Sequence, residues 1–248
     1  MTQTILITGA TDGLGLALAQ HYQSQAARLV LLGRRPLAEV PLAQFSSNDY
    51  CQVDLARPDC AEIVTHHLAT HQIDRLDLLI HNAGLGYVGP TDQQASHSIQ
   101  TLTAVNLWAP IALTHALLPH LRAAQGKIVF ISSVVSALPC PDYAVYGANK
   151  AALDGFARNL RLELTGTVAV QVIHPGPMRT GMHAKSGADL ASMRWDRFPP
   201  ATTVAPKIAQ AIAGRQRAVT IGGANRLLRF AGHYLAGPLD WAMRQRSR

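Results

Sequence analysis

The sequence predicts an α/β fold: a single doubly wound parallel sheet within one domain, residues 1–248, with an added C-terminal helical segment. Three observations lead there. Short apolar runs alternate with helix-period stretches from near the N-terminus onward, the pattern of a parallel sheet covered by helices on both faces. The first run passes into the first helical stretch through a glycine-rich turn. The 248 residues, 48% hydrophobic and 15% charged, suit one well-buried domain and argue against extended disorder.

Taken in order, residues 4–8 form the first strand and 14–22 the first helix; strands follow at 28–32, 50–53 and 76–80, with a helix over 60–70. A long helical pattern over 96–124 leads into a fifth strand at 126–131. A helix over 146–164, a sixth strand at 168–173 and a short last strand at 219–221 complete the alternation. Residues 177–200 carry little periodicity and hold Met178, Met182, Met193, Trp195 and Phe198; an irregular stretch of that length reads as a substrate lid. Residues 225–248 mix apolar and basic positions at helical spacing. That segment could cover a cleft, contact another subunit or lie on a membrane, and Gly237-Pro238 weakens the membrane reading.

Totals exclude several classes. Cys51, Cys60 and Cys140 are too few and too irregular for a disulfide scaffold or thiolate metal site. No signal peptide precedes the first strand and no unbroken apolar run approaches the roughly 20 residues of a membrane span, so a cytoplasmic protein is expected. The net charge of +7 comes without a nucleic-acid motif, and no nucleic-acid partner is expected. His66, His67 and His71 lack a carboxylate constellation and read as a solvated helix face; no metal is expected.

The glycine-rich turn runs Thr8-Gly9-Ala-Thr11-Asp12-Gly13-Leu14-Gly15. Glycines let the backbone turn sharply and approach a pyrophosphate, which the free N–H groups and dipole of a helix N-terminus favour. Strand, glycine turn and helix together make the predicted fold Rossmann-type. The second strand ends at Arg34-Arg35 with no acidic residue. A carboxylate there would bind the ribose of NAD, whereas arginine can pair with the 2′-phosphate of NADP, so NADP(H) is preferred and NAD(H) is retained as the alternative. Asp12 runs against this, since a carboxylate facing the phosphates would repel them.

Thr8-Gly9-x-x-x-Gly13-x-Gly15, Asn82-Ala83-Gly84, a serine and Tyr-x-x-x-Lys resemble the short-chain dehydrogenase/reductase family, in order and spacing, from the first strand to Thr180. Arginine at Arg34 is the pattern that this resemblance associates with NADP. It also implies cofactor contacts from the glycine turn, from Asp54 and Leu55 at the adenine, from Asn82, Ala83 and Gly84, and from Pro175, Gly176 and Thr180 near the nicotinamide.

Tyr146 and Lys150 are four apart in a predicted helix and project from one face. A phenol with pKa near 10 is a poor catalyst at neutral pH, and a nearby ammonium would lower it. Ser132-Ser133 end the fifth strand, where parallel sheets face their ligands. Resemblance selects Ser133 to polarise a carbonyl, with Ser136 as runner-up, and adds Asn106 as holder of a water linking Lys150 to solvent. His174 is a weaker candidate base. Val134, Val135, Ala137, Leu138, Tyr143, Met182 and the lid aromatics suggest an apolar substrate pocket. The expected function is hydride transfer between NADP(H) and a small-molecule carbonyl or alcohol, in a homo-oligomer (dimer or tetramer); the alternative is a catalytically silent NADP(H)-sensing protein of the same fold.

Overall fold

Ile5, Leu6 and Ile7 are all fully buried, so the strand they form is covered on both faces, as its unbroken apolar run requires. Ile5 and Ile7 enter one core and Leu6 the other. The structure is a computed structural model and describes residues 2–40, 45–189 and 195–246. Strands β1 (Thr4–Thr8), β2 (Arg28–Gly33), β3 (Tyr50–Gln52), β4 (Leu78–His81), β5 (Lys127–Ile131), β6 (Ala169–His174) and β7 (Ala218–Thr220) build one sheet in the order β3-β2-β1-β4-β5-β6-β7. Every pairing between these strands is parallel.

The helices are α1 (Gly13–Gln23), α2 (Cys60–Thr70), α3 (Ser96–Thr103), α4 (Ala109–Ala124), α5 (Ala144–Glu163), α6 (Gly181–Lys185), α7 (Ala201–Ala213), α8 (Gly223–Tyr234) and α9 (Ala236–Arg246). Leu14 and Leu18 of α1 meet Ile208 and Ile212 of α7 in the first core, while Leu68, Leu117 and Leu153 of α2, α4 and α5 share the second. Strand order reverses beside β1, whose neighbours are β2 and β4, and that reversal opens a crevice at the carboxyl ends of the strands.

The structure departs from the sequence reading at three places. β4 starts at Leu78 rather than 76, because the Leu76 amide donates to the His120 carbonyl instead of to a strand neighbour. Helix α7 has no counterpart among the predicted elements; Pro206 interrupts a stretch whose Val204, Ile208 and Ile212 nonetheless share one buried face. The 96–124 helix contains a wide π-helical turn, Ala104–Trp108, between α3 and α4. That helix is also long and apolar enough to cross a membrane on length and composition, which its broken apolar runs conceal. Its Leu102, Leu113, Leu117 and Leu121 are buried in the second core.

Phe130 is fully buried on β5, stacked on His81 at 4.9 Å and edge-on to Phe156 at 5.8 Å between centroids. Phe130→Ala should cost about 3–5 kcal/mol, read as a lower denaturation midpoint; a loss below about 1 kcal/mol would show a core able to collapse around the cavity.

Candidate active site

Gly9 and Gly13 hold φ of 64° and 53°, the left-handed region that only glycine enters without strain. They turn the chain from β1 into α1 and expose Thr11, Asp12, Gly13 and Leu14 along the crevice. Gly15 serves differently: a Cβ there would overlap the Gly9 carbonyl oxygen and crowd the Asn82 amide. Buried behind the turn, Gly15 permits close packing and does not line the crevice, contrary to its expected cofactor contact. Thr8 departs likewise. Its side chain is turned inward, and its hydroxyl accepts from the Asn82 and Ala83 amides at 3.0 and 2.9 Å, tying the two loops together.

Asp12 caps α1, accepting from the Gly13 amide at 2.7 Å, and its other oxygen lies 3.2 Å from Lys185 Nζ on α6. The carboxylate thus faces an exposed lysine across the mouth of the crevice. Arg35 donates to the Thr11 carbonyl at 2.8 Å, while Arg34 is exposed along the crevice wall. Asp54 and Leu55 line the same end, and Asn82, Ala83, Gly84, Pro175, Gly176 and Thr180 line the middle.

At the far end α5 lies across the end of β5. Lys150 Nζ, almost fully buried, donates to the Ile131 carbonyl at 2.9 Å. One turn earlier on α5, Tyr146 lines the crevice beside Ser133, whose Oγ accepts from the Val135 amide at 3.2 Å. Ser132 Oγ instead reaches the Lys150 carbonyl. Ser136 is engaged away from the crevice with Asp154 and Arg229, which favours Ser133 over it. His174 Nε2 lies 2.9 Å from Asp154 with its ring buried and off the crevice, so it is not placed as a base.

Burial pushes the Tyr146 phenol up to about 12, against the lowering effect of the Ser133 hydrogen bond. Burial also brings Lys150 down to about 8, opposed by the Asp154 charge. The expected lowering of the phenol by the ammonium is not realised in the protein alone. Lys150 Nζ stands 5.8 Å from the Tyr146 ring centroid and donates to main chain instead.

Asn106 sits in the π-helical turn, fully buried. Its Oδ1 accepts from the Leu85 amide and its Nδ2 donates to the Leu85 carbonyl, both at 2.8 Å. The amide therefore clamps the loop after β4 with one lone pair of Oδ1 and one N–H of Nδ2, and a second of each is left. The wide turn is the local explanation for an asparagine in mid-helix, and such turns gather at functional sites.

Val134, Val135, Leu138, Tyr143, Met182 and Phe198 line the substrate end. Trp195 stacks edge-on to Phe198 at 6.0 Å and is not part of the lining, and Met193 lies outside the described residues. Ala137 faces α8, where a Cβ on Gly232 would overlap its carbonyl oxygen. Helix α8 brings Asn225 and Leu228 to the crevice, while its Leu227, Phe230 and Tyr234 are exposed. Sequence reasoning missed Asp154, Lys185, Asn225, Leu228 and Arg229. Asp154 alone carried a signal, lying four residues beyond Lys150 on the same helix face.

A glycine turn at a helix N-terminus, opening on a crevice along the carboxyl edge of a parallel sheet, defines a dinucleotide-binding α/β protein. The family model described as short chain dehydrogenase matches residues 3–191, and the chain belongs to that family of oxidoreductases. It is 30% identical over 237 residues to 11-beta-hydroxysteroid dehydrogenase 1A of Arabidopsis thaliana, covering 88% of this chain and 68% of that protein. It is 33% identical to 11-beta-hydroxysteroid dehydrogenase-like 2 of the same plant over 192 residues, 73% of this chain and 60% of that one. Among solved structures, a short-chain dehydrogenase from Sphingobium yanoikuyae in complex with NADPH superposes with a TM-score of 0.80 at 27% identity, covering 93% of this chain and 92% of that one.

A lysine whose pKa falls from 10.5 to about 8 on folding is a burden on stability below pH 8. The unfolded chain holds the extra proton between these values, so the burden lifts as pH rises through that window. The Tm of Lys150→Met relative to the wild type should therefore fall as pH rises from about 8 to 10.5. A difference flat across the window would mean that Lys150 titrates normally.

Proposed function

We propose that the chain is an NADP(H)-dependent oxidoreductase interconverting an apolar ketone or aldehyde and its alcohol. One observation carries the reading. Ser133, Tyr146 and Lys150 stand together inside the same crevice of about 900 Å³ that begins at the glycine turn and Arg34. The crevice also fits a dinucleotide. Gly9 and Gly13 line it at the helix N-terminus, where main-chain N–H groups suit a phosphate, and at Gly84 an added Cβ would meet nothing nearer than Asn106 Oδ1 at 3.6 Å.

When bound, the nicotinamide supplies or accepts the hydride. In reduction Ser133 donates a hydrogen bond to the substrate oxygen, and Tyr146, kept protonated by its burial, gives up its proton. Lys150 would hold the ribose of the bound cofactor and present the charge that eases loss of that proton. Asn106 fixes the 82–85 loop, and Thr11, Gly13 and Thr180 face the cofactor.

Arg34 and Arg35, with no carboxylate beside them, support NADP(H) over NAD(H), as does the NADPH complex of the Sphingobium relative. The apolar lining from Val135 to Leu228 supports a bulky apolar substrate, and the hydroxysteroid names of the plant relatives point the same way. The reading includes a cytoplasmic homo-oligomer.

A carbonyl panel followed by NADPH and NADH absorbance tests the proposal directly, and Tyr146→Phe should abolish turnover while leaving NADPH affinity nearly intact. Full activity in that variant would end the assignment. Arg34→Ala should lower kcat/KM for NADPH roughly 10- to 100-fold with little change for NADH; equal effects on both cofactors would remove Arg34 as the 2′-phosphate partner.

A further inference from the structure

We infer that Arg229 and Asp154 form a positioning pair through which the C-terminal helix α8 holds the Ser133 turn and the Lys150 helix in their reactive arrangement. The inference rests on the oxidoreductase reading for the roles of Ser133 and Lys150. Asp154 lies on α5 one turn beyond Lys150 and two beyond Tyr146. Its Oδ2 receives His174 Nε2 at 2.9 Å, Ser136 Oγ at 2.7 Å and Arg229 Nη2 at 3.2 Å. The other carboxylate oxygen, Oδ1, is buried without a hydrogen-bond partner among the described residues.

Arg229 touches this group twice, because Nη1 donates to Ser136 Oγ at 2.5 Å. The Ser136 hydroxyl also lies 2.8 Å from the Ser133 carbonyl oxygen. With one proton to give and one donor already received, it is oriented by Arg229 toward Asp154 or the Ser133 main chain. A single guanidinium therefore acts on the carboxylate next to Lys150 and on the hydroxyl that braces Ser133. The cluster is largely shielded: the side chains of Arg229, Asp154 and His174 are 14%, 22% and 3% exposed. Gly232, nearly one turn further along α8, is pressed on the Ala137 carbonyl of the same turn, so helix and turn also meet backbone to backbone.

An ion pair that merely attached α8 to the body could be replaced by apolar contacts of similar volume. This one ends instead on Ser136, whose hydroxyl lies against the Ser133 carbonyl, while Ser132 beside Ser133 reaches the Lys150 carbonyl. Nor is the cluster a hydrolytic triad. Its carboxylate sits between the hydroxyl and the imidazole, whereas a triad needs the imidazole in the middle.

The test compares Arg229→Met, Arg229→Lys, Asp154→Asn and the Arg229→Met/Asp154→Asn double variant in the full chain. The Met variant should lower kcat roughly tenfold with KM for NADPH nearly unchanged, and the Lys variant should fall between it and the wild type. The double variant should be no slower than the slower single variant within about twofold, since both changes act on one linkage. Wild-type kcat in Arg229→Met, or losses that multiply in the double variant, would overturn the inference. Hydrogen exchange at the Ser136 and Leu138 amides, compared with β1, separates this inference from the function it rests on. Faster exchange confined to the turn is expected in Arg229→Met and Asp154→Asn, so the second variant carries the test where the first does not fold. Unchanged exchange refutes the pair even if the wild type turns over no carbonyl. Inactivity of the wild type with the exchange response intact refutes the oxidoreductase reading instead.

Discussion

A buried ammonium needs an acceptor, and Lys150 finds one in the Ile131 carbonyl at the last residue of β5. Burying that charge is costly enough to bring the lysine down to about 8, so the hydrogen bond fixes where α5 can lie. With α5 pinned across the strand end, Tyr146 falls opposite Ser133, and the face that carries both continues to Asp154. The crevice inherits its polar end from this contact and its apolar end from the turn and helix that close over it.

The crevice is organised along one axis of charge. Cations stand at both limits, Arg34 and Arg35 beyond β2 and Lys150 beyond β5; Asp12 is engaged with Lys185 and Asp154 with His174 and Arg229, while Asp54 lines the Arg34 end.

What could be read from sequence was what is local. The glycine turn, the Tyr146–Lys150 spacing and the apolar strands each specify geometry within a few residues, and the sheet, its order and the crevice follow from them by the rules of parallel folds. Thr8 and Gly15 were misjudged because membership of a motif does not say which way a side chain faces. One is turned into the body by the strand pleat, and the other is the point where α1 meets the preceding turn. Spacing places the lysine near the tyrosine but specifies neither the acceptor it takes, the Ile131 carbonyl, nor the depth of burial that raises the phenol. Arg229 and Asp154 lie 75 residues apart, and no local pattern announces their contact.

The π-helical turn at Ala104–Trp108 is a matter of residue count. A chain in this conformation carries one more residue than the same length of α-helix. Removing one there would rotate α4 about 100° against α3, so either Asn106 would leave Leu85 or the stripe of Leu113, Leu117 and Leu121 would leave the core. Most of the 96–124 helix can vary in side chain and keep its place; at this turn the number of residues is itself part of the site.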